Sequence, residues 1–251
     1  MLKDCSIPPK NGGAPKYVVI FLHGLGSNGQ LMKDHAGGML SLMIPDAKIY
    51  FPDGPDAVNA DPGAQPYRSW FEVVHKPQGH SLTEEDSKAI SGHALKAVPQ
   101  MNAYIDQVLK QEGITEDRLI LAGFSQGASM AYYAALNRDK PVAAVYSLSG
   151  GALHWIVDQA KSKPPVLLSA GGNEHSDYSG NRHATRVHPI LEKAGFETEC
   201  ILIPGKEHEI SHESMELLAR LAHIVMNRTP KPVANTNEPQ APKQAHRPPA
   251  P

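Results

Sequence analysis

The run Gly123-Phe124-Ser125-Gln126-Gly127 satisfies G-x-S-x-G. By itself the pattern is weak, because glycine and serine are common in turns. Its context gives it weight: the apolar run Arg118-Leu-Ile-Leu-Ala122 leads in, and the helix-forming run Ala128-Ser-Met-Ala-Tyr-Tyr-Ala-Ala135 leads out. A serine on a tight strand-to-helix turn projects its hydroxyl above the sheet edge, and flanking glycines permit close strand–helix approach. The following helix aims free N–H groups and its positive dipole end at developing negative charge. Ser125 is therefore the expected nucleophile.

A serine hydroxyl needs a base within hydrogen-bond reach. Thirteen histidines compete for that role. On a sheet of this kind the chain order is nucleophile, acid, base, with the base on the loop after the last strand. His208 fits, between the apolar run ending at Ile203 with its Pro204-Gly205 turn and the final helix. His23 precedes the serine and reads as structural. His75, His80, His175, His183, His188 and His212 read as solvated. His208-Glu209-Ile210-Ser211-His212 also satisfies H-E-x-x-H, a zinc-hydrolase pattern. That reading needs both histidines on one helix face. Pro204-Gly205 upstream and Ser211 as an N-cap place His208 before the helix instead, so no metal is expected.

The acid belongs on the loop after strand Val166 to Ala170, which offers Glu174 and Asp177. The oxyanion requires two backbone N–H donors. One follows the nucleophile, at Gln126; the other is expected from the loop His23-Gly24-Leu25-Gly26, at Leu25.

These residues need a scaffold that brings them to one edge. Tyr17-Val-Val-Ile-Phe-Leu22 is a continuous apolar run, the mark of a strand buried on both faces. Further strands are expected at Lys48 to Phe51, Arg68 to Val74, Leu119 to Ala122, Val142 to Leu148, Val166 to Ala170 and Glu197 to Ile203. Helices are expected near Gln30 to Met43, from Glu84 to about Gly113 with a kink or break at Pro99, and at Gln126 to Asn137. Two more follow, at Arg182 to Ala194 and Ser211 to Asn227. Strands alternating with helices predict an α/β fold: a mostly parallel sheet covered on both faces, with the chemistry beyond the carboxyl ends of the strands.

Composition narrows the class. The 251 residues carry 24 Lys+Arg against 26 Asp+Glu, a balance that gives neither a basic face for nucleic acid nor a polybasic membrane patch. Cys5 and Cys200, far apart and in no C-x-x-C, exclude a disulfide scaffold or thiolate zinc site. No apolar run spans a bilayer, and Met1 to Pro9 lacks a secretory apolar core, so a cytoplasmic location is expected. Seven of the 22 prolines fall within Thr229 to Pro251. That segment has almost nothing to bury and is expected to be disordered. The expected organisation is an N-terminal extension over 1–16, a catalytic domain over 17–228 and a tail over 229–251.

Phe21-Leu-His-Gly-Leu-Gly-Ser-Asn-Gly29, Phe51-Pro-Asp-Gly-Pro55, Arg68-Ser-Trp-Phe-Glu72, Gly123-Phe-Ser-Gln-Gly-Ala128 and Gly205-Lys-Glu-His-Glu-Ile210 occur in this order. Together they resemble the phospholipase/carboxylesterase family of α/β-hydrolases, which includes acyl-protein thioesterases. The resemblance implies a compact α/β-hydrolase without a large lid domain, a Ser-His-acid triad, and no cofactor. It also implies an acyl ester or thioester substrate, borne by a small molecule, a lipid or an acylated protein. Ser125, His208, Leu25 and Gln126 match the family's nucleophile, base and oxyanion donors. The departure is at the acid, where the family shows His-Gly-x-x-Asp and this chain has Ala170-Gly-Gly-Asn-Glu174. Position for position Glu174 replaces the aspartate and is favoured; a small loop shift would bring in Asp177 instead. A non-catalytic binding protein on a hydrolase scaffold and a zinc hydrolase are the rival classes. Trp70 and Phe71 fit either an acyl pocket or the core.

Overall fold

The computed structural model describes residues 2–58, 67–74, 83–174 and 181–228. Asp177, the tail over 229–251 and His75, His80 and His175 lie outside them. Chain order is β1 (Asp4–Ile7), β2 (Tyr17–Leu22), then α1 (Gly29–Met32), which passes through a π-helical turn at Lys33–Gly37 into α2 (Gly38–Met43). β3 (Ala47–Pro52), the short β4 (Asp56–Ala57) and β5 (Arg68–Ser69), and α3 (Glu84–Glu112) follow. The second half runs β6 (Leu119–Phe124), α4 (Gln126–Leu136), β7 (Ala144–Leu148), β8 (Val166–Gly171), α5 (Asn181–Lys193), β9 (Thr198–Ile203) and α6 (His212–Met226).

The main sheet has the order β1-β3-β2-β6-β7-β8-β9 and is parallel except for β1. Its central strands are buried on both faces because alternate side chains enter two separate cores. Val18, Ile20 and Leu22 of β2 join α3, α4 and α5; Tyr17, Val19 and Phe21 join α1, α2 and α6. The apolar run of β2 is thus read by two helical layers at once.

Three expectations need correction. The segment assigned to an N-terminal extension contributes β1, which pairs with β3 from Asp4↔Pro52 to Ile7↔Ile49. Its half-buried, polar-rich sequence suits an edge strand rather than a central one, so the apolar pattern did not reveal it. β5 stops at Ser69 because the next backbone groups are taken by a side chain: Trp70 N–H and Phe71 C=O pair with the Gln126 amide. α3 runs unbroken through Pro99 to Glu112, so the break allowed for at the proline does not occur. The proline stands on the exposed face, and the buried stripe Ile90, Ala94, Val98, Met101, Ile105 and Val108 runs on across it. The expected start holds: Thr83 caps α3, its hydroxyl accepting from Asp86 N–H while the Asp86 carboxylate accepts from Thr83 N–H.

Candidate active site

Ser125 sits between β6 and α4 with φ 55° and ψ −119°. A non-glycine residue there is strained, and such strain persists only where the surroundings fix it. The Ser125 N–H donates to Leu148 C=O at 2.9 Å and Ser129 N–H donates to Ser125 C=O at 3.2 Å. The flanking glycines are required by contact. A Cβ on Gly123 would lie 2.4 Å from the Gly127 carbonyl carbon, and one on Gly127 would lie 2.3 Å from Leu22 O. The turn is therefore wedged between the helix start and the end of β2.

His208 lies on the loop between β9 and α6, as expected. Its ring packs on Phe124, centroids 4.7 Å apart, which sets it beside the serine turn. Nδ1 lies 2.6 Å from Glu174 Oε1, and the carboxylate is almost fully buried while the imidazole is 41% exposed. With a carboxylate at Nδ1, that nitrogen carries the proton and Nε2 keeps a lone pair for chemistry. Glu174 reaches this position because two loops are joined by their backbones. Gly172 N–H donates to Ile203 C=O at 2.7 Å and Asn173 N–H to Lys206 C=O at 2.9 Å. Gly171 permits it: a Cβ there would fall 2.2 Å from Glu207 O. Of the two carboxylates left open by the sequence, Glu174 meets His208; Asp177 is outside the described residues.

The loop after β2 is fixed to β5 by Gly26 N–H to Arg68 C=O (3.0 Å) and Arg68 N–H to Ser27 C=O (2.8 Å). Among the described residues, no backbone carbonyl accepts from the N–H of Leu25 or of Gln126. The Gln126 side chain docks onto the strand β5 and its continuation: Oε1 accepts from Trp70 N–H at 3.0 Å, and Nε2 donates to Phe71 C=O at 2.7 Å. Both arms are thus tied to one segment, Arg68 to Phe71. Nothing in the residue pattern marks the Gln126 side-chain role, since a glutamine in a turn has no distinguishing signature.

His23 is buried and structural. Its Nε2 accepts from Gly54 N–H at 2.9 Å, its Nδ1 donates to Gly24 C=O at 2.8 Å, and Trp70 Nε1 donates to its carbonyl at 2.7 Å. Burial pushes its pKa down to about 4. Trp70 and Phe71 belong to the core, at 2% and 3% exposure. His183 corrects the expectation of a solvated side chain: it is buried, accepts Leu153 N–H at Nε2, and burial with the nearby Arg186 charge pushes its pKa down to about 3. His212 opens α6, with Nε2 3.2 Å from Glu216. His208 precedes that helix, so the two histidines of H-E-x-x-H do not share a helix face. Ser149, absent from the sequence reading, donates its hydroxyl to Glu174 Oε2 at 2.7 Å. The signal was faint: a small polar residue just past the carboxyl end of a buried strand.

A mostly parallel sheet, helices on both faces and a strained serine turn at its carboxyl edge define the α/β-hydrolase class. Comparison with known proteins narrows this. The chain belongs to the phospholipase/carboxylesterase family, whose sequence profile matches residues 7–225, and is a carboxylic ester hydrolase. It is 32% identical over 202 residues to acyl-protein thioesterase 1 of Cryptococcus neoformans, covering 78% of this chain and 80% of that protein. Carboxylesterase SOBER1 of Arabidopsis thaliana is 28% identical over 207 residues, covering 80% and 86%. The crystal structure of esterase PE8 superposes with a TM-score of 0.77 at 26% identity, covering 89% of this chain and 99% of that one. Among the described residues no helix is long and apolar enough to cross a membrane.

Proposed function

We propose that the chain hydrolyses carboxylic acyl esters or thioesters through Ser125, His208 and Glu174 by way of an acyl-enzyme. His208 Nε2 takes the Ser125 proton as Oγ attacks the acyl carbonyl, and Glu174 holds the imidazolium that results. The oxyanion forms against the N–H groups of Leu25 and Gln126. The imidazolium then protonates the departing alcohol or thiol. Water, deprotonated by the same imidazole, releases the carboxylic acid and frees Ser125. The observation that carries this reading is the 2.6 Å His208 Nδ1 to Glu174 Oε1 contact beside the strained serine turn. A structural histidine on a half-exposed loop has no need of a buried carboxylate partner. The acyl group is carried by a small ester, a lipid or an acylated protein; the thioesterase relative supports the last.

The test is labelling with a fluorophosphonate followed by peptide mapping. Modification is expected at Ser125, with hydrolysis of p-nitrophenyl butyrate abolished in parallel and untouched by chelators. Ser125→Ala keeps the Cβ, hence the same backbone cost, and is expected to fold normally without detectable turnover. Hydrolysis at the wild-type rate by that variant would sink the proposal.

A further inference from the structure

Between the serine turn and the acid loop lies the dipeptide Leu148-Ser149, at the carboxyl end of β7. Leu148 C=O receives the Ser125 N–H at 2.9 Å, and Ser149 N–H donates to Ser169 C=O of β8 at 2.7 Å. Ser149 is fully buried and holds φ at 55°, a second strained non-glycine residue within reach of the site. Its hydroxyl donates to Glu174 Oε2 at 2.7 Å while Oε1 faces His208 at 2.6 Å.

We infer that Ser149 is a positioning residue for the reaction: its hydroxyl fixes the rotation of the Glu174 carboxylate, and so the orientation of His208. The inference rests on the triad reading above. Its physical basis is the length of the acid. A glutamate carries one more rotatable bond than an aspartate, and its terminal torsion is broad and soft. Each bond to the carboxylate narrows that rotation, and the imidazole turns with it. The Ser149 bond ties Oε2 before substrate arrives. A hydroxyl suits this place because it donates to the ionised carboxylate without adding charge, leaving the negative charge available to the imidazolium. The left-handed backbone at Ser149 belongs to the same device. It lets one residue bond β8 through its N–H while its side chain turns to the acid loop, and strain of this kind collects where a site must be held in advance.

The test is a double-mutant cycle on the full chain, with kcat and KM for p-nitrophenyl butyrate and the thermal midpoint measured throughout. Ser149→Ala keeps the Cβ and the backbone cost and removes only the hydroxyl. It is expected to lower kcat about tenfold, the scale of one hydrogen bond to a charged group, with KM within about twofold. Ser149→Gly loses the hydroxyl and also relieves the backbone; the same deficit is expected, and recovery to the wild-type kcat would overturn the inference. Glu174→Ala is expected to cost more, and adding Ser149→Ala to it should cost nothing further. Additive losses in the double variant, or a wild-type kcat for Ser149→Ala, would refute the positioning role while leaving the triad intact. Wild-type turnover by Glu174→Ala would instead remove the acid assignment, and the inference with it.

Discussion

Each functional side chain is held by an interaction of identifiable kind, and the acid shows this most sharply. Glu174 spans from a loop pinned at Gly172 and Asn173 to His208 and Ser149. Glu174→Asp shortens the side chain by a methylene, and the pinned loop cannot advance to compensate. A fall in kcat of about tenfold to a hundredfold is expected, roughly the loss of one charge-assisted hydrogen bond. Glu174→Gln is expected to cost about 10³-fold or more, in line with removal of a triad acid, whereas Asp177→Asn retains nearly full activity. Steady-state kinetics on the three variants decides between the carboxylates. At this scale the places of Ser125 on its strand-to-helix turn and of His208 on the loop after β9 were legible, because a turn motif and chain order constrain them. The Ser149 hydroxyl and the Gln126 amide were not, since each acts across the sheet on a partner distant in sequence.

Elements position these residues through close approach. Gly127 sits where any Cβ would meet Leu22 O and His23 O at 2.3 and 2.4 Å, so Gly127→Ala must push α4 away from the end of β2. A stability loss of about 2–3 kcal/mol is expected, the scale of overpacking, with a larger fractional loss in kcat because the two N–H donors separate. Urea titration and kinetics on the same sample would check both. Opposite in sign, Pro99→Ala restores an amide to an exposed position inside α3 and is expected to raise unfolding free energy by about 1–2 kcal/mol with kcat unchanged. Continuous apolar runs announced β2 and β6, and the Thr83 cap with its following acids announced the start of α3. The residue pattern missed β1 and overran β5: β3 supplies the order of the first, while the second pairs with β4 over two residues before Gln126 takes the backbone of Trp70 and Phe71.

For the whole molecule, buried neutral histidines set the response to acid. The unfolded chain takes up a proton on His23 near pH 6.5, the folded one only near 4. Between those values unfolding binds a proton, so the His23 contribution is fully present above 6.5 and falls away as pH drops towards 4. About 3 kcal/mol is at stake. His183, with its pKa pushed down to about 3, extends the decline further. Denaturation midpoints measured from pH 7.5 to 4 should fall steadily, and His23→Asn should flatten the slope by up to one proton; an unchanged slope would refute the assignment.

Ser125, Ser149, Glu174 and His208 stand at the ends of, or just beyond, four strands, β6, β7, β8 and β9, that are neighbours both in the chain and in the sheet. Each is placed by counting residues from a ladder such as Leu148↔Ser169. One step along a strand is about 3.3 Å and reverses the face a side chain presents. A single miscounted pairing during assembly would therefore leave a compact, helical, well-buried protein with no working catalyst. Specific activity after refolding is thus a proofreading signal: it reports the fraction of molecules whose strands have aligned without slippage, which far-UV spectra cannot distinguish.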